Sequence, residues 1–324
     1  MATVVLTDHA WPDVSIERSI LERAGHRLIA PYTTASSEQV EAAVSEAVPD
    51  AILTCWGPVS ARAIASAGNV RVVARMGVGL DNIDVEQATR QGAWVTNVPD
   101  YCVEEVSDHA VALTLAWLRG VVLLDRQVRA GRWDPAGARL ARVSTRTVGI
   151  LGYGRIGRRT AHKLGGLGMR VLALRPRTPG ADPGAASLTS LEEMLPEADV
   201  VILHLPLSTE TQHIVDAAFL QRMRAGSLLV NCSRGGLVDT VALLGALERG
   251  PIAGAALDVV EGEPDPPREL LQRENIILTP HVGFSSHTSV VELRTRATEE
   301  VVRVLSGETP RHPCNSPFKE SVHV

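Results

Sequence analysis

Between Thr147 and Gly157 the chain reads Thr-Val-Gly-Ile-Leu-Gly-Tyr-Gly-Arg-Ile-Gly, an aliphatic run that feeds Gly152-x-Gly154-x-x-Gly157. An amphipathic segment, Arg158 to Leu167, follows, and a second apolar run spans Met169 to Leu174. The order is strand, glycine turn, helix, strand. Each glycine has a physical task. Gly152 permits the sharp turn, Gly154 lets the backbone approach a pyrophosphate, and Gly157 lets helix and strand pack closely. The helix N-terminus adds unpaired N–H groups and the positive end of its dipole. In this context the pattern predicts a dinucleotide site, with the ribose near the end of the second strand.

Composition narrows the rest. A chain of 324 residues allows one or two domains, and 45% apolar residues suffice for sizeable cores. A net charge of −5 argues against a nucleic-acid surface. No apolar run approaches membrane-spanning length, and the N-terminus MATVVLTDHA reads as a strand, not a signal peptide. Cys55, Cys102, Cys232 and Cys314 are scattered without a CxxC pair, and the ten histidines show no HxxxH or HExxH spacing. The expectation is a reduced, cytoplasmic protein with no metal site and no nucleic-acid or membrane partner.

Residues 1–100 already alternate strand and helix. Thr3–Thr7, Arg27–Ala30, Ala51–Thr54, Val70–Ala74 and Ala93–Thr96 read as strands, with helical patterns at Ile16–Ala24, Glu38–Ala47, Ser60–Ser66 and Val85–Gln91. A long helical pattern runs from Val103 to Ala130, and the polar, basic stretch Arg132–Arg146 reads as a loop or arm. From Thr147 the strands are Val148–Leu151, Arg170–Leu174, Val200–His204, Ser227–Asn231, Ile252–Leu257 and Ile276–Leu278. A last helix covers Ser286 to Leu305, and the tail holds X-Pro turns. The fold class expected is α/β, with two doubly wound parallel-sheet, Rossmann-like domains.

In open α/β sheets ligands bind beyond the carboxyl ends of the strands. After Ser227–Asn231 comes Arg234, after Ile252–Leu257 come Asp258 and Glu263, and after Ile276–Leu278 comes His281. Three successive strands thus deliver an Arg, a Glu and a His to one edge. Hydride transfer at C2 of a 2-hydroxy acid needs those types. A His moves the hydroxyl proton in either direction. A carboxylate orients its ring and favours imidazolium. An Arg grips the substrate carboxylate or carbonyl with a rigid fork.

The segments Arg75-Met-Gly-Val-Gly-Leu-Asp-Asn-Ile-Asp84, Asn231-Cys-Ser-Arg-Gly-Gly-Leu-Val-Asp239, Ala256-Leu-Asp-Val259 with Glu263-Pro264, and Thr279-Pro-His-Val-Gly283, together with the glycine fingerprint, resemble the D-2-hydroxyacid dehydrogenase family. That family includes phosphoglycerate dehydrogenase and the C-terminal binding proteins. The resemblance implies Arg234, Glu263 and His281 as the catalytic triad. It implies substrate binding at the backbone of Gly77, Val78 and Gly79. It also implies a discontinuous, flavodoxin-like substrate domain, residues 1–100 plus 286–324, around a dinucleotide domain at 101–285. The cofactor contacts implied are Gly152, Gly154, Arg155, Ile156, Gly157, Arg175, Leu205, Pro206, Thr211, Cys232 and Asp258. Homodimers formed through the cofactor domain and its arm are usual in the family. Arg75 resembles a carboxylate-binding arginine of the C-terminal-binding-protein branch, and Phe284 stands where that branch has a substrate-contacting tryptophan.

One departure bears on the cofactor. NAD-using members carry an acidic residue at the end of the second cofactor-domain strand, and here position 175 is Arg, followed by Pro176-Arg177-Thr178. The expectation is an NAD(P)-dependent 2-hydroxy acid dehydrogenase that prefers NADP. Its rivals are a dinucleotide-sensing binding protein of the C-terminal-binding-protein kind and a phosphite-type dehydrogenase. A formate-type enzyme pairs its His with Gln, and Glu263 argues against that.

Overall fold

Short aliphatic runs become strands here because helices cover both faces of each sheet. The computed structural model describes residues 1–138, 140–174 and 182–317. The chain divides into two units, Met1–Tyr101 with Ser286–Val324 and Cys102–Ser285.

In the first unit the elements are β1 (Thr3–Leu6), α1 (Ser15–Arg23), β2 (Arg27–Ile29), α2 (Ser37–Ala47), β3 (Ala51–Thr54), α3 (Ala61–Ser66), β4 (Val72–Arg75), α4 (Val85–Arg90) and β5 (Trp94–Thr96). All pair in parallel, in the order β2-β1-β3-β4-β5. This is the flavodoxin-like strand order. Val5, Ile52, Val73 and Val95 are buried on one face against Val40, Val44, Ile64 and Ala88 of α2, α3 and α4.

In the second unit the order of elements is α5 (Val103–Leu118), α6 (Val121–Arg129), β6 (Thr147–Leu151), α7 (Arg155–Gly166), β7 (Arg170–Leu174), β8 (Ser187–Thr189), α8 (Leu191–Glu197), β9 (Val200–Leu203), α9 (Ala217–Arg222), β10 (Leu228–Asn231), α10 (Thr240–Arg249), β11 (Gly254–Leu257), α11 (Arg268–Leu271) and β12 (Ile276–Leu278). The sheet runs β12-β11-β10-β9-β6-β7-β8, again wholly parallel. Strand order reverses between β6 and β9, which places the ligand crevice at their carboxyl ends. Leu151, Leu203, Leu229 and Leu257 carry the core through the middle of the sheet, each 2% exposed or less. Fully burying such a side chain is worth about 1.5–3 kcal/mol.

The last helix, α12 (His287–Leu305), returns the chain to the first unit. Its N-cap is Ser286, in a reciprocal capping box with Ser289. Arg294 of α12 forms a buried two-pronged pair with Glu17 of α1 (2.7 Å on both bonds), and Arg71 donates to the carbonyls of Val304 and Leu305 at its other end. Beyond α12 the tail pairs antiparallel with the exposed edge of β5: Cys314 N donates to Val95 O, and Val95 N donates to Asn315 Oδ1. The discontinuous unit is therefore closed by side-chain and edge-strand bonds over more than two hundred residues of separation.

Two expectations need correction. The helical pattern from Val103 to Ala130 is not one helix. It ends at Leu118 and restarts at Val121 with a 56° bend, because Gly120 adopts the left-handed conformation (φ 62°) that stops a helix. The edge strand β8 has no counterpart in the sequence reading, because three residues with one apolar side chain carry no period. No single helix among the described residues is long and apolar enough to cross a membrane.

Candidate active site

At the glycine turn a Cβ added to Gly152 would lie 2.3 Å from the His204 carbonyl, and Gly152 has a φ of 97°. One added to Gly157 would lie 2.1 Å from Gly152 O. Neither position accepts a side chain. Gly154 differs: nothing lies within 4 Å of a Cβ there, and it is the N-cap of α7 with no side chain capping it. Two glycines are thus consumed by packing, while the third leaves an open approach to the helix N-terminus. That fits a pyrophosphate. Arg155, exposed, and Ile156, half-buried, form the first turn of α7.

Leu205 and Pro206 leave β9 on the far side of the switch point. Thr211 closes this loop on itself, donating to Pro206 O (2.7 Å) and accepting from Ser208 N (2.8 Å). Tyr153 bonds Pro183 O (2.6 Å) and lies under the Arg158 guanidinium, which itself donates to Asp182 O. Arg175 lies outside the described residues, as do Arg177 and Thr178.

The candidate catalytic side chains come from the loops after β10, β11 and β12, three adjacent parallel strands whose carboxyl ends share one edge. The loop after β10 is held by Asn231, which accepts from Ser233 N (3.0 Å) and donates to Arg234 O (2.8 Å). Arg234 Nη1 donates to Ser233 O (2.8 Å). A Cβ on Gly235 would fall 2.2 Å from the Val260 carbonyl, so the Arg234 loop rests directly on the chain leading to Glu263. His281 Nδ1 meets Glu263 Oε1 at 2.8 Å. A carboxylate only accepts, so Nδ1 carries a proton and donates it to Glu263. The Phe284 ring stands edge-on to the imidazole, 6.4 Å between centroids.

His281 sits in the left-handed region, φ 52°. That conformation costs a non-glycine residue on the order of 1–3 kcal/mol, and surrounding contacts must offset it. They come from Asp258. Its carbonyl accepts from His281 N (2.8 Å), and its carboxylate accepts from Val282 N (3.0 Å), Gly283 N (2.8 Å) and Thr279 Oγ1 (2.6 Å). Burial would raise the Asp258 carboxyl, but these bonds and one from His109 outweigh it and hold it below the usual carboxylate range. Cys232 is buried, and burial pushes its thiol far up, which makes it a packing residue rather than a nucleophile.

In the first unit Arg75 is 7% exposed. Its guanidinium donates to Met76 O (2.5 Å), its Nε has no hydrogen-bond partner, and it lies where a Cβ on Gly77 would be. The Gly77–Gly79 loop is pinned by its acceptors: Gly77 O takes a bond from Val98 N (3.0 Å) and Val78 O one from Asn97 Nδ2 (2.7 Å). Among the described residues no group of three or more His, Cys, Asp or Glu is placed to hold a metal ion.

Residues 111–283 match the D-isomer specific 2-hydroxyacid dehydrogenase, NAD binding domain. The glyoxylate reductase of Thermococcus kodakarensis is 38% identical over 324 residues, covering 97% of this chain and 90% of that protein. The glyoxylate reductase of Korarchaeum cryptofilum is 41% identical over 266 residues, 80% of each chain. The chain belongs to the D-isomer-specific 2-hydroxyacid dehydrogenase family. The fold agrees: the D-lactate dehydrogenase of Aquifex aeolicus, solved with NAD and lactic acid, superposes with a TM-score of 0.83 at 26% identity, over 94% of this chain and 96% of that one. The protein is an NAD(P)-dependent 2-hydroxyacid oxidoreductase.

The sequence reading of this dehydrogenase missed several polar residues around the site. His204, half-buried after β9, meets Thr160 of α7 at 2.9 Å, and burial drives its imidazole down to about 4. His213 pairs with Glu261 at 2.5 Å, and Glu261 also accepts from Thr240 N and Oγ1. The bond to Glu261 raises His213 above its ordinary value. His109 reaches Thr279 and Asp258 from α5. Each contact joins segments far apart in the chain, so no local spacing could have announced it.

Proposed function

We propose that this dehydrogenase reduces a small 2-oxo acid to its D-2-hydroxy acid, and runs the reverse oxidation, with His281 as acid and base. The observation that carries this is the His281–Glu263 pair at 2.8 Å, at the edge where the Arg234 loop also emerges. Glu263 accepts from Nδ1 and holds the ring, so Nε2 can give a proton to the C2 oxygen during reduction and take one during oxidation. Arg234 pairs with the substrate carboxylate and polarises the carbonyl. The family resemblance assigns further carboxylate contacts to the Gly77–Gly79 amides and to Arg75, and Phe284 supplies an apolar wall beside His281. When bound, the nicotinamide supplies or accepts the hydride. The chain's part is to hold the pyrophosphate at Gly152–Gly157, with Arg155 and Ile156 at the helix N-terminus and Leu205, Pro206 and Thr211 beside the crevice.

Both glyoxylate reductases named above point to a small substrate, and glyoxylate-sized 2-oxo acids are the class we assign. NADPH is the preferred reductant in this proposal, because position 175 is Arg rather than a carboxylate that would repel a 2′-phosphate. A homodimer is proposed as well. Val121, Leu123 and Val128 of α6 and Trp133 of the arm are exposed apolar side chains, and a second copy would cover them. Following NAD(P)H absorbance with 2-oxo acids graded in size and charge tests the assignment. Turnover is expected to be fastest with the smallest acids, and no turnover with any of them would refute it.

A further inference from the structure

The contacts of His109 reach the loop of His281 without touching His281 itself. Thr279 Oγ1 donates its one proton to Asp258 Oδ1 at 2.6 Å. Its oxygen then has only acceptor capacity for His109 Nε2, which lies 2.9 Å away. His109 must therefore carry its proton on Nε2 and donate. The same nitrogen is 3.3 Å from Asp258 Oδ1. On the other side of Asp258, the amides of Val282 and Gly283 donate to the two carboxylate oxygens. The packing leaves no slack: a Cβ on Gly283 would meet Asp258 Oδ2 at 2.8 Å and His109 Cδ2 at 3.3 Å.

His109 stands in the middle of α5, a sixteen-residue helix that packs against β10, β11 and α7. It is thus a strut from a rigid helix to the Thr279–Gly283 loop. That loop bears His281 in a left-handed conformation which a bare loop would relax. The Asp258 carboxylate, which the family resemblance gave to the cofactor, has four protein donors around it. Its first job in this molecule is to hold the loop.

We propose that His109 is a positioning residue for His281: through Thr279 and Asp258 it fixes the backbone turn that sets the imidazole against Glu263. The proposal rests on the acid–base reading for its kinetic consequence, but not for its structural one.

The test uses the full-length enzyme with His109→Leu, His109→Gln and Thr279→Val. Gln places an N–H near the position of Nε2, and Leu does not. In His109→Leu and Thr279→Val, kcat for reduction should fall by roughly ten- to a hundred-fold, because small misplacements of a reacting group cost that much. The Kd for NAD(P)H, read by fluorescence, should stay within about three-fold, and His109→Gln should recover most of kcat. A crystal structure of His109→Leu should show the His281 ring displaced from Glu263. The proposal is overturned if kcat is kept in His109→Leu, if Gln is as damaging as Leu, or if the loss falls in dinucleotide binding alone. An undisturbed His281–Glu263 pair in the crystal overturns it as well. Failure of the acid–base reading is recognised separately. In that case His281→Ala stays active, while the crystal structure still reports whether His109 holds the ring.

Discussion

His281 Nδ1 and Glu263 Oε1 lie 2.8 Å apart although eighteen residues separate them, because β11 and β12 are neighbours in a parallel sheet. Both strands end at the same edge, so their following loops can exchange side chains. If the pair is the acid–base device, His281→Ala should lower kcat by roughly 10²–10⁴-fold while leaving dinucleotide Kd nearly unchanged. Glu263→Gln keeps the side-chain shape but offers the ring an amide in place of the carboxylate that accepts from Nδ1, so kcat should fall by roughly ten-fold or more while dinucleotide Kd is kept. An unchanged kcat in steady-state kinetics would count against the pair.

Substrate anchoring is tested at Arg234 and Arg75. Arg234→Lys keeps the charge and loses the planar fork, so kcat/KM should drop by about ten-fold or more, consistent with loss of a bidentate charge-assisted contact. Arg75 lies beneath Gly77 with its guanidinium buried. Arg75→Ala should raise KM for the 2-oxo acid by disturbing that loop. A variant that loses Tm and keeps its KM would make Arg75 a structural strut instead.

For the cofactor, kcat/KM measured with NADPH and NADH at low ionic strength should favour NADPH. One charge-assisted contact contributes about 1.5–3 kcal/mol, or roughly 10–150-fold. Arg175→Asp should reverse the preference. A wild-type ratio at or below unity would remove the argument.

His204 makes a prediction about stability. Its folded imidazole titrates at about 4, well below the ordinary value of 6.5, because burial disfavours its charge. Between those two values the unfolded chain binds a proton that the folded chain refuses. Stability is then fully present above pH 6.5 and is lost progressively as pH falls towards 4. Urea midpoints between those limits should flatten in His204→Gln, which keeps a polar partner for Thr160 but does not titrate. A slope identical to wild type would show that His204 is not responsible.

Local pattern determined much of this protein. The strand periods, the glycine fingerprint and the order Arg234, Glu263, His281 were legible, because strand propensity, turn chemistry and the carboxyl-end rule for open sheets all act over short stretches of chain. The break at Gly120 was locally encoded too, yet a single glycine inside an apolar pattern is ambiguous until the left-handed φ is seen. What only the tertiary structure decided is the set of contacts that long-range topology creates. The sheet order brought β12 beside β11, α5 brought His109 to Thr279, and α12 brought Arg294 to Glu17. The physical reason is that such bonds join groups whose sequence separation is arbitrary. The residues must be polar to make them, but nothing near them in the chain says which partner the packed core will bring within reach.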